Sequence, residues 1–362
     1  MIEVADIFRR HGPAYREEHP LLPSQQKAMQ DLVRCRTAAC GGQLYRCDHC
    51  GHEHYSYHSC GNRHCPKCHG EQTARWLTKQ QQRLLPCAYY LLTFTLPQAL
   101  RTLAWSHQKA VYGLLLSSAA VALQKLAWDP KYLGGQLAAL AVLHTWTRAL
   151  LYHPHAHLLV TAGGLARDGE HWLAPKNPAF LVPCFALSKI FRGKFRAGLK
   201  KLGLLEQVPS SVWSEQWVVH CQHAGHGEKA MDYLGRYVFR IAISNSRLER
   251  FENGQVTFRY RDNRTQQLKH LQLSAPEFIQ RFLQHVLPKG LVKVRAYGLW
   301  SATNAEKLKT ARALLARQAS TQRSAALVPQ PLLETSLTIC PSCKIGHLVL
   351  IASLLPERIR GP

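Results

Sequence analysis

Two Cys-x-x-Cys pairs constrain the fold of this chain more than any other feature. Cys47 and Cys50 form the first pair, and Cys65 and Cys68 form the second. Each short turn directs two sulfur atoms the same way, and four thiolates suit tetrahedral zinc. We therefore expect a closed, structural zinc site that holds a small module together and performs no chemistry.

Further cysteines surround these pairs. Cys60 and His64 lie between them and are possible extra zinc ligands, which would allow a shared position or a second ion. Cys35 and Cys40 lie outside the best spacing, so we expect them to be packed thiols. Two disulfides are the alternative to zinc, but they require an oxidising compartment.

The C-terminal region carries another pair, Cys340 and Cys343, with His347 four positions later. Two sulfurs and one imidazole can begin a zinc site but leave it incomplete, so metal ligands and reduced surface thiols are both open interpretations.

The N-terminus lacks the apolar stretch of a signal peptide. We expect a reducing, cytoplasmic location associated with the nucleoid.

The charge balance indicates a polyanionic partner. The chain has 46 Lys and Arg against 22 Asp and Glu, a net charge of +24. Such an excess is typical of nucleic-acid binding, with a basic surface kept for solubility as the alternative. The longest apolar run, at 110–123, is shorter than the roughly 18 residues of a membrane span. We expect it to be a buried helix, and we expect no membrane partner.

The order of elements predicts an α+β fold around a mainly antiparallel sheet. Helices are expected from residue 98 to about 150. Asn253-Gly254 predicts a hairpin, and Ser274 with Glu277 predicts a capped helix start. Strands are predicted at 87–96, 155–161, 217–222, 247–251, 255–260 and 292–299. We divide the chain into a zinc module at 1–80, a catalytic domain at 81–300 and a basic tail at 301–362.

A histidine pair opens one predicted strand. Side chains alternate along a strand, so His155 and His157 share a face and can converge on one ion. Imidazole with carboxylate or water would suit Mg²⁺ or Mn²⁺ in phosphate chemistry. Hydrogen-bonded histidines in a sheet are the alternative. A third ligand is needed, and His223, Glu228 and Asp232 are the candidates.

Two tyrosines, Tyr233 and Tyr237, lie four residues apart on a predicted helix and therefore share one face. Paired aromatics at this spacing also occur in ordinary cores. Gly235 between them suggests that another group approaches closely, and Arg236 and Arg240 could hold phosphate. A metal that polarises phosphate would offset the weak nucleophilicity of a phenol, so the pair predicts strand cleavage through a phosphotyrosine ester.

A basic helix provides candidate contacts to the DNA backbone. Phe191 and Phe195 lie among its charges, and we expect these aromatic rings to stack on bases. A solvated helix face is the alternative interpretation. The predicted phosphate contacts on this helix are Lys189, Arg192, Lys194 and Arg196.

The chain resembles the rolling-circle transposases of the insertion-sequence-ninety-one family, which belong to the HUH endonucleases. The resemblance rests on ordered motifs: SCGNRHCPKC at 59–68, AVLHTW at 141–146, HPHAH at 153–157, DYLGRY at 232–237, AISNSRL at 242–248 and VTFRYRD at 256–262. It implies an N-terminal zinc-binding domain, His155 and His157 as metal ligands, and Tyr233 and Tyr237 as nucleophiles.

The resemblance also implies the reaction. A tyrosine would attack single-stranded DNA at an element end, form a 5′-phosphotyrosine link and release a 3′-OH for rolling-circle transposition into target DNA. A plasmid-type relaxase or replication initiator is the first alternative. A non-catalytic zinc-dependent DNA-binding regulator is the second.

Overall fold

The structure is a computed structural model that describes residues 2–68, 76–78, 80–177, 180–226, 229, 235, 241–262, 265–320 and 339–357. The chain groups into two compact units built from separated segments. Unit 1 comprises Met1–Gln72, Ile243–Val286 and Ser324–Pro362, and unit 2 comprises Thr73–Ala242 and Leu287–Arg323. The sequence analysis divided the chain by expected function into domains at 1–80, 81–300 and 301–362. The two units are defined by compactness instead, so that division stays a prediction.

Runs of helices and runs of strands follow one another along the described chain. The helices are α1 (Val4–Glu18), α2 (Pro23–Arg34), α3 (Arg101–Ser106), α4 (Gln108–Ala127), α5 (Cys184–Lys201), α6 (Ala275–Leu283) and α7 (Ala305–Ser320). The strands are β1 (Gly42–Cys47), β2 (Glu53–Tyr57), β3 (Ala88–Thr95), β4 (Ala138–Trp146), β5 (Tyr152–Thr161), β6 (Gly164–Leu165), β7 (Trp172–Leu173), β8 (Val219–His226), β9 (Leu248–Glu252), β10 (Gln255–Arg261), β11 (Leu268–Ser274), β12 (Val294–Gly298) and β13 (Leu348–Leu354). Single 3-10 turns occur at Ala38–Cys40, Gln98–Leu100, Leu205–Gln207, Ser210–Trp213, Asn245–Arg247 and Ala302–Asn304.

Unit 1 contains two small antiparallel sheets, ordered β13-β1-β2 and β11-β10-β9. The predicted hairpin is confirmed as β9 and β10, with Asn253 and Gly254 at positive φ in the turn. Helix α6 begins where predicted, because the Ser274 side chain accepts a hydrogen bond from the Glu277 backbone N–H. Helices α1 and α6 pack through Phe8 and Phe282, whose ring centroids lie 5.2 Å apart.

Unit 2 is built on an antiparallel sheet whose described strands are ordered β12-β4-β5-β3-β8. The predicted α+β class with a mainly antiparallel central sheet flanked by helices is confirmed. Strand β5, which carries the histidine pair, lies at the centre between β4 and β3. Every side chain near its middle therefore has a neighbour on both adjacent strands, which fixes its position.

The two faces of this sheet are covered by different groups. One face, with Phe94, Leu143 and Ala156, belongs to the larger core cluster, which also contains residues of α4 and α5. The other face, with Leu91 and Leu159, packs with residues of α7 and of the β6–β7 hairpin. Because side chains alternate, the odd-numbered histidines of β5 lie on this second face.

The prediction of helices from residue 98 to about 150 is wrong for its last part. Ala138–Trp146 is strand β4, and eight of its nine residues are buried. A strand buried on both faces loses the alternating pattern that identifies strands in a sequence, and Ala and Leu are strong helix formers. The segment therefore looks helical in isolation, although the sheet requires it as a strand.

Helix α4 contains the longest apolar run and is confirmed as a buried helix. By length and composition alone Gln108–Ala127 could cross a membrane. Its residues instead supply the larger core cluster, including Val111, Tyr112, Leu115 and Leu123. A core helix passes the same test of length and composition, and the packing accounts for its apolar surface.

Candidate metal centres

The cysteines of unit 1 gather into two groups of four. The first group is Cys35, Cys60, Cys65 and Cys68, and the second is Cys47, Cys50, Cys340 and Cys343. In each group the four sulfur atoms lie within 4.8 Å of one another. Four thiolates at this spacing provide the donor set of a structural zinc site.

The structure does not bring the two Cys-x-x-Cys elements, predicted to share one zinc site, into the same group. Cys65 and Cys68 join Cys60 and the end of α2, where Cys35 is fully buried. The Sγ atom of Cys68 lies 3.4 Å from that of Cys35 and 3.5 Å from that of Cys60. The sequence analysis set Cys35 apart as a packed thiol, whereas the structure places its sulfur beside the other three, because α2 returns its last turn to this loop.

His64, His347 and Cys40 lie outside the two groups. His64 is not among the residues whose ligand atoms converge, whereas the possible ligand Cys60 is. Cys40 donates a hydrogen bond to the Arg34 carbonyl, as expected of a packed thiol. His347 contacts Asp48, with 4.0 Å between Nδ1 and a carboxylate oxygen, and it is not part of the second group.

The histidines of unit 2 form a third group. His155 and His157 on β5 converge with His144 on β4, and their ligand nitrogens lie within 4.8 Å of one another. The register places His144 directly opposite His155. His144 and His157 are buried, with 2% and 9% of their surface exposed. His144 is the third histidine that the sequence analysis missed, because its strand was predicted as a helix.

Hydrogen bonds select the nitrogen that His155 can offer. Its Nδ1 lies 2.7 Å from the backbone carbonyl of His153, and a carbonyl can only accept. Nδ1 must therefore carry the proton, which leaves the Nε2 lone pair available for an ion. The Nδ1 of His157 lies 3.0 Å from the Thr93 hydroxyl on β3, a contact that is compatible with the same tautomer.

His153 continues the strand but has a different partner. The Arg101 guanidinium donates to its Nδ1 over 2.8 Å. Burial, and then the positive charge of Arg101, lower the pKa of His153 below its usual value. A neutral imidazole that already accepts at Nδ1 is fixed in orientation beside the group of three.

Among the expected third ligands, His223 is described, and it is not in the group. It lies opposite Tyr90, which faces the larger core, whereas His157 lies opposite Thr93 on the other face. Glu228 and Asp232 lie outside the described residues. So do the predicted nucleophiles Tyr233 and Tyr237 and the predicted phosphate contacts Arg236 and Arg240. Gly235 is described, and a Cβ there would lie 3.0 Å from Leu77 Cδ1, so a side chain of the protein approaches it.

Comparisons with known proteins agree along almost the whole chain. A family model described as "Transposase zinc-binding domain" matches residues 7–96, and one described as "Putative transposase" matches residues 138–307. "Putative transposase y4qJ" of Sinorhizobium fredii is 39% identical over 99% of this chain and 97% of its own length. The transposase for insertion sequence element IS801 of Pseudomonas savastanoi pv. phaseolicola is 32% identical over 78% of this chain and 72% of its own.

The chain belongs to the insertion-sequence-ninety-one family of transposases. The family predicted from the sequence motifs is thereby confirmed, and the protein is a DNA-processing enzyme with a zinc-binding domain. Membership favours the transposase over the relaxase and the non-catalytic regulator as interpretations. The comparison with solved structures found no match.

Helix α5 of the transposase presents part of its predicted DNA-binding set. Lys189, Lys194 and Arg196 are exposed. Arg192 donates to the Glu215 carbonyl over 2.6 Å, and the Arg196 guanidinium lies 5.6 Å from the centre of the Trp213 ring. These contacts hold two of the four cations against the protein surface.

The two Phe residues of α5, which were predicted to stack on DNA bases, are not accessible for stacking. Phe191 and Phe195 are fully buried, and each packs edge-on against Trp217 with centroid distances of 5.2 and 5.4 Å. Stacking on bases is therefore excluded for both rings. Helical spacing explains the error, because two residues four positions apart share one face of the helix, and here that face is the buried one.

Proposed function

We propose that this transposase cleaves single-stranded DNA at its element ends through Tyr233 and Tyr237, assisted by a divalent cation held by His144, His155 and His157. The observation that carries the proposal is the convergence of the three imidazoles on one face of a rigid sheet. Ordinary sheet histidines need not direct ligand nitrogens to one point. The tautomer imposed on His155 leaves the nitrogen that a metal would use.

The donor set fits Mn²⁺ better than Mg²⁺. Mg²⁺ prefers oxygen ligands, whereas imidazole nitrogen binds transition metals more readily. When bound, the ion would polarise the scissile phosphate and stabilise the negative charge that develops in the transition state. The role of this chain is to hold three neutral imidazoles with their free nitrogens directed at one position.

The proposed reaction is an exchange of phosphate esters. The oxygen of one tyrosine loses its proton and attacks phosphorus, the bond from phosphorus to the 3′ oxygen breaks, and that oxygen leaves as a hydroxyl after taking up a proton. The 5′-phosphotyrosine ester conserves the cleaved bond, so a DNA 3′-OH can later reverse the exchange and join a new strand. The second tyrosine would serve the partner cleavage or the strand transfer.

The test is formation of a covalent adduct. Labelled single-stranded DNA from the element ends is incubated with the full chain and Mn²⁺, and adducts are resolved under denaturing conditions. We expect an adduct with the wild type, none with the double variant Tyr233→Phe/Tyr237→Phe, and none with His144→Ala or His155→Ala. His171→Ala, an exposed histidine in the β6–β7 turn, is the control and should form the adduct normally.

Two outcomes would overturn the proposal. An adduct formed by the double tyrosine variant would place the nucleophile elsewhere. Undiminished adduct from the His144 and His155 variants would show that the three histidines hold no catalytic ion. Zinc content should be the same in all these variants, because the cysteine groups lie in another unit.

A further inference from the structure

The second cysteine group joins residues that are almost 300 positions apart in the chain. Cys47 Sγ lies 3.7 Å from Cys343 Sγ, and Cys50 Sγ lies 3.8 Å from Cys340 Sγ. Ligands at the Zn–S distance of about 2.3 Å in a tetrahedron are separated by about 3.8 Å. A disulfide would bring two sulfurs to about 2.05 Å. The observed spacing is that of four zinc ligands.

Backbone amides surround these sulfurs. The N–H groups of His49 and Cys50 both donate to Cys47 Sγ over 3.4 Å, and the N–H of Gly346 donates to Cys343 Sγ over 3.4 Å. These hydrogen bonds hold each sulfur against the backbone of its own turn. Each Cys-x-x-Cys turn therefore keeps its sulfur in a fixed position from which it can bind a metal.

The two turns are also held in register with each other. The Asp48 N–H donates to the His347 carbonyl over 3.1 Å, and the His347 N–H donates to the Asp48 carboxylate over 2.8 Å. A Cβ at Gly346 would lie 2.6 Å from both Cys47 Sγ and Asp48 Oδ1. Glycine is required there, because the C-terminal turn approaches the N-terminal sulfur too closely for a side chain.

Packing contributes little to this junction. The buried residues of its hydrophobic cluster are Cys47, Cys340 and Leu348, and two of the three are themselves candidate ligands. The apolar side chains Val349, Leu350 and Ile351 of β13 are about half exposed. A core of this size gives little stability by itself, and small domains commonly compensate with a bound metal.

We propose that Cys47, Cys50, Cys340 and Cys343 bind a second structural zinc ion, which fastens the C-terminal segment to the N-terminal segment of the transposase. The ion completes the incomplete C-terminal pair with two cysteines from the other end of the chain. Strand β13 thereby becomes the third strand of the β13-β1-β2 sheet. This site is separate from the Cys35 group and from the histidines.

Zinc content is the first measurement. The full chain is purified under reducing conditions, and tightly bound zinc per chain is measured by elemental mass spectrometry. We expect Cys340→Ser/Cys343→Ser to lose one zinc ion per chain relative to the wild type. Cys40→Ser is the matched control in the same unit and should lose none, because Cys40 belongs to neither group. Unchanged zinc content in the double variant would overturn the proposal.

A second measurement uses the wild type alone, so misfolding of a variant cannot decide the outcome. Thiols are alkylated before and after a zinc chelator is added, and the modified cysteines are mapped by mass spectrometry. We expect Cys47, Cys50, Cys340 and Cys343 to be protected together and to become reactive together. Alkylation of Cys340 and Cys343 in the zinc-loaded chain, while Cys65 and Cys68 are still protected, would contradict the proposal. So would a disulfide between any two of the four.

Discussion

The cysteine region of unit 1 and the sheet of unit 2 position their candidate metal ligands in opposite ways. In unit 2 a large core packs against the strands, and the histidines occupy positions that the sheet register sets. Around Cys47 and Cys340 the hydrophobic cluster is very small, and the ligands themselves join the segments. A bound metal would therefore supply much of the stability of the first region, whereas hydrophobic packing stabilises the second region whether or not a metal is bound. The two regions should therefore respond differently to loss of metal.

The largest expected effect is the response to a chelator. Structural zinc contributes apparent binding free energies of about 10–16 kcal/mol in small domains. We expect an ion bound to a sheet that is already packed to contribute far less to folding. We expect EDTA to remove the amide hydrogen-exchange protection of β1, β2 and β13 and to leave that of β3, β4 and β5 unchanged. Equal loss of protection in both sets of strands would break the comparison.

The next effect tests whether packing sustains unit 2. Phe195 is fully buried against Trp217, so Phe195→Ala should lower the free energy of unfolding by about 3–5 kcal/mol in a urea titration. Its neighbour Lys194 is exposed, and Lys194→Ala should change stability by less than about 0.5 kcal/mol.

The third prediction concerns DNA binding by Lys194, whose replacement should leave stability unchanged. If Lys194 contacts phosphate, Lys194→Ala should weaken binding and reduce the dependence of log K on log salt by about one. A flat salt dependence in the wild type would remove the electrostatic argument for α5.

For the stability prediction above, an unchanged free energy of unfolding in Phe195→Ala would show that the buried ring does not stabilise the core.

The smallest effect concerns the partner of a single histidine. Thr93→Val removes the hydroxyl that contacts His157 Nδ1 without a large change in volume. Loss of such a partner typically costs about 10–100-fold in metal affinity, which titration calorimetry with Mn²⁺ would measure. Thr95→Val is the control on the same strand and face, since no hydrogen bond joins its hydroxyl to these histidines in the described structure. Equal losses in both variants would indicate general disturbance of the strand.

The sequence by itself determined the family, the α+β class, the histidine strand and the presence of a cysteine-rich zinc-binding domain. These features depend on local spacing, such as two cysteines in one turn or two histidines on one face of a strand, and local spacing is readable from the chain. Ordered motifs from Ser59 to Asp262 carried the family resemblance for the same reason.

Only the tertiary structure decided which residues complete each site. Cys47 and Cys50 meet Cys340 and Cys343 because β1 pairs with β13, and His144 meets His155 because β4 pairs with β5. Pairing between distant segments depends on which surfaces can be buried together, and no short window of sequence records it. The burial that hides β4 from recognition as a strand is the same burial that brings its histidine to the site.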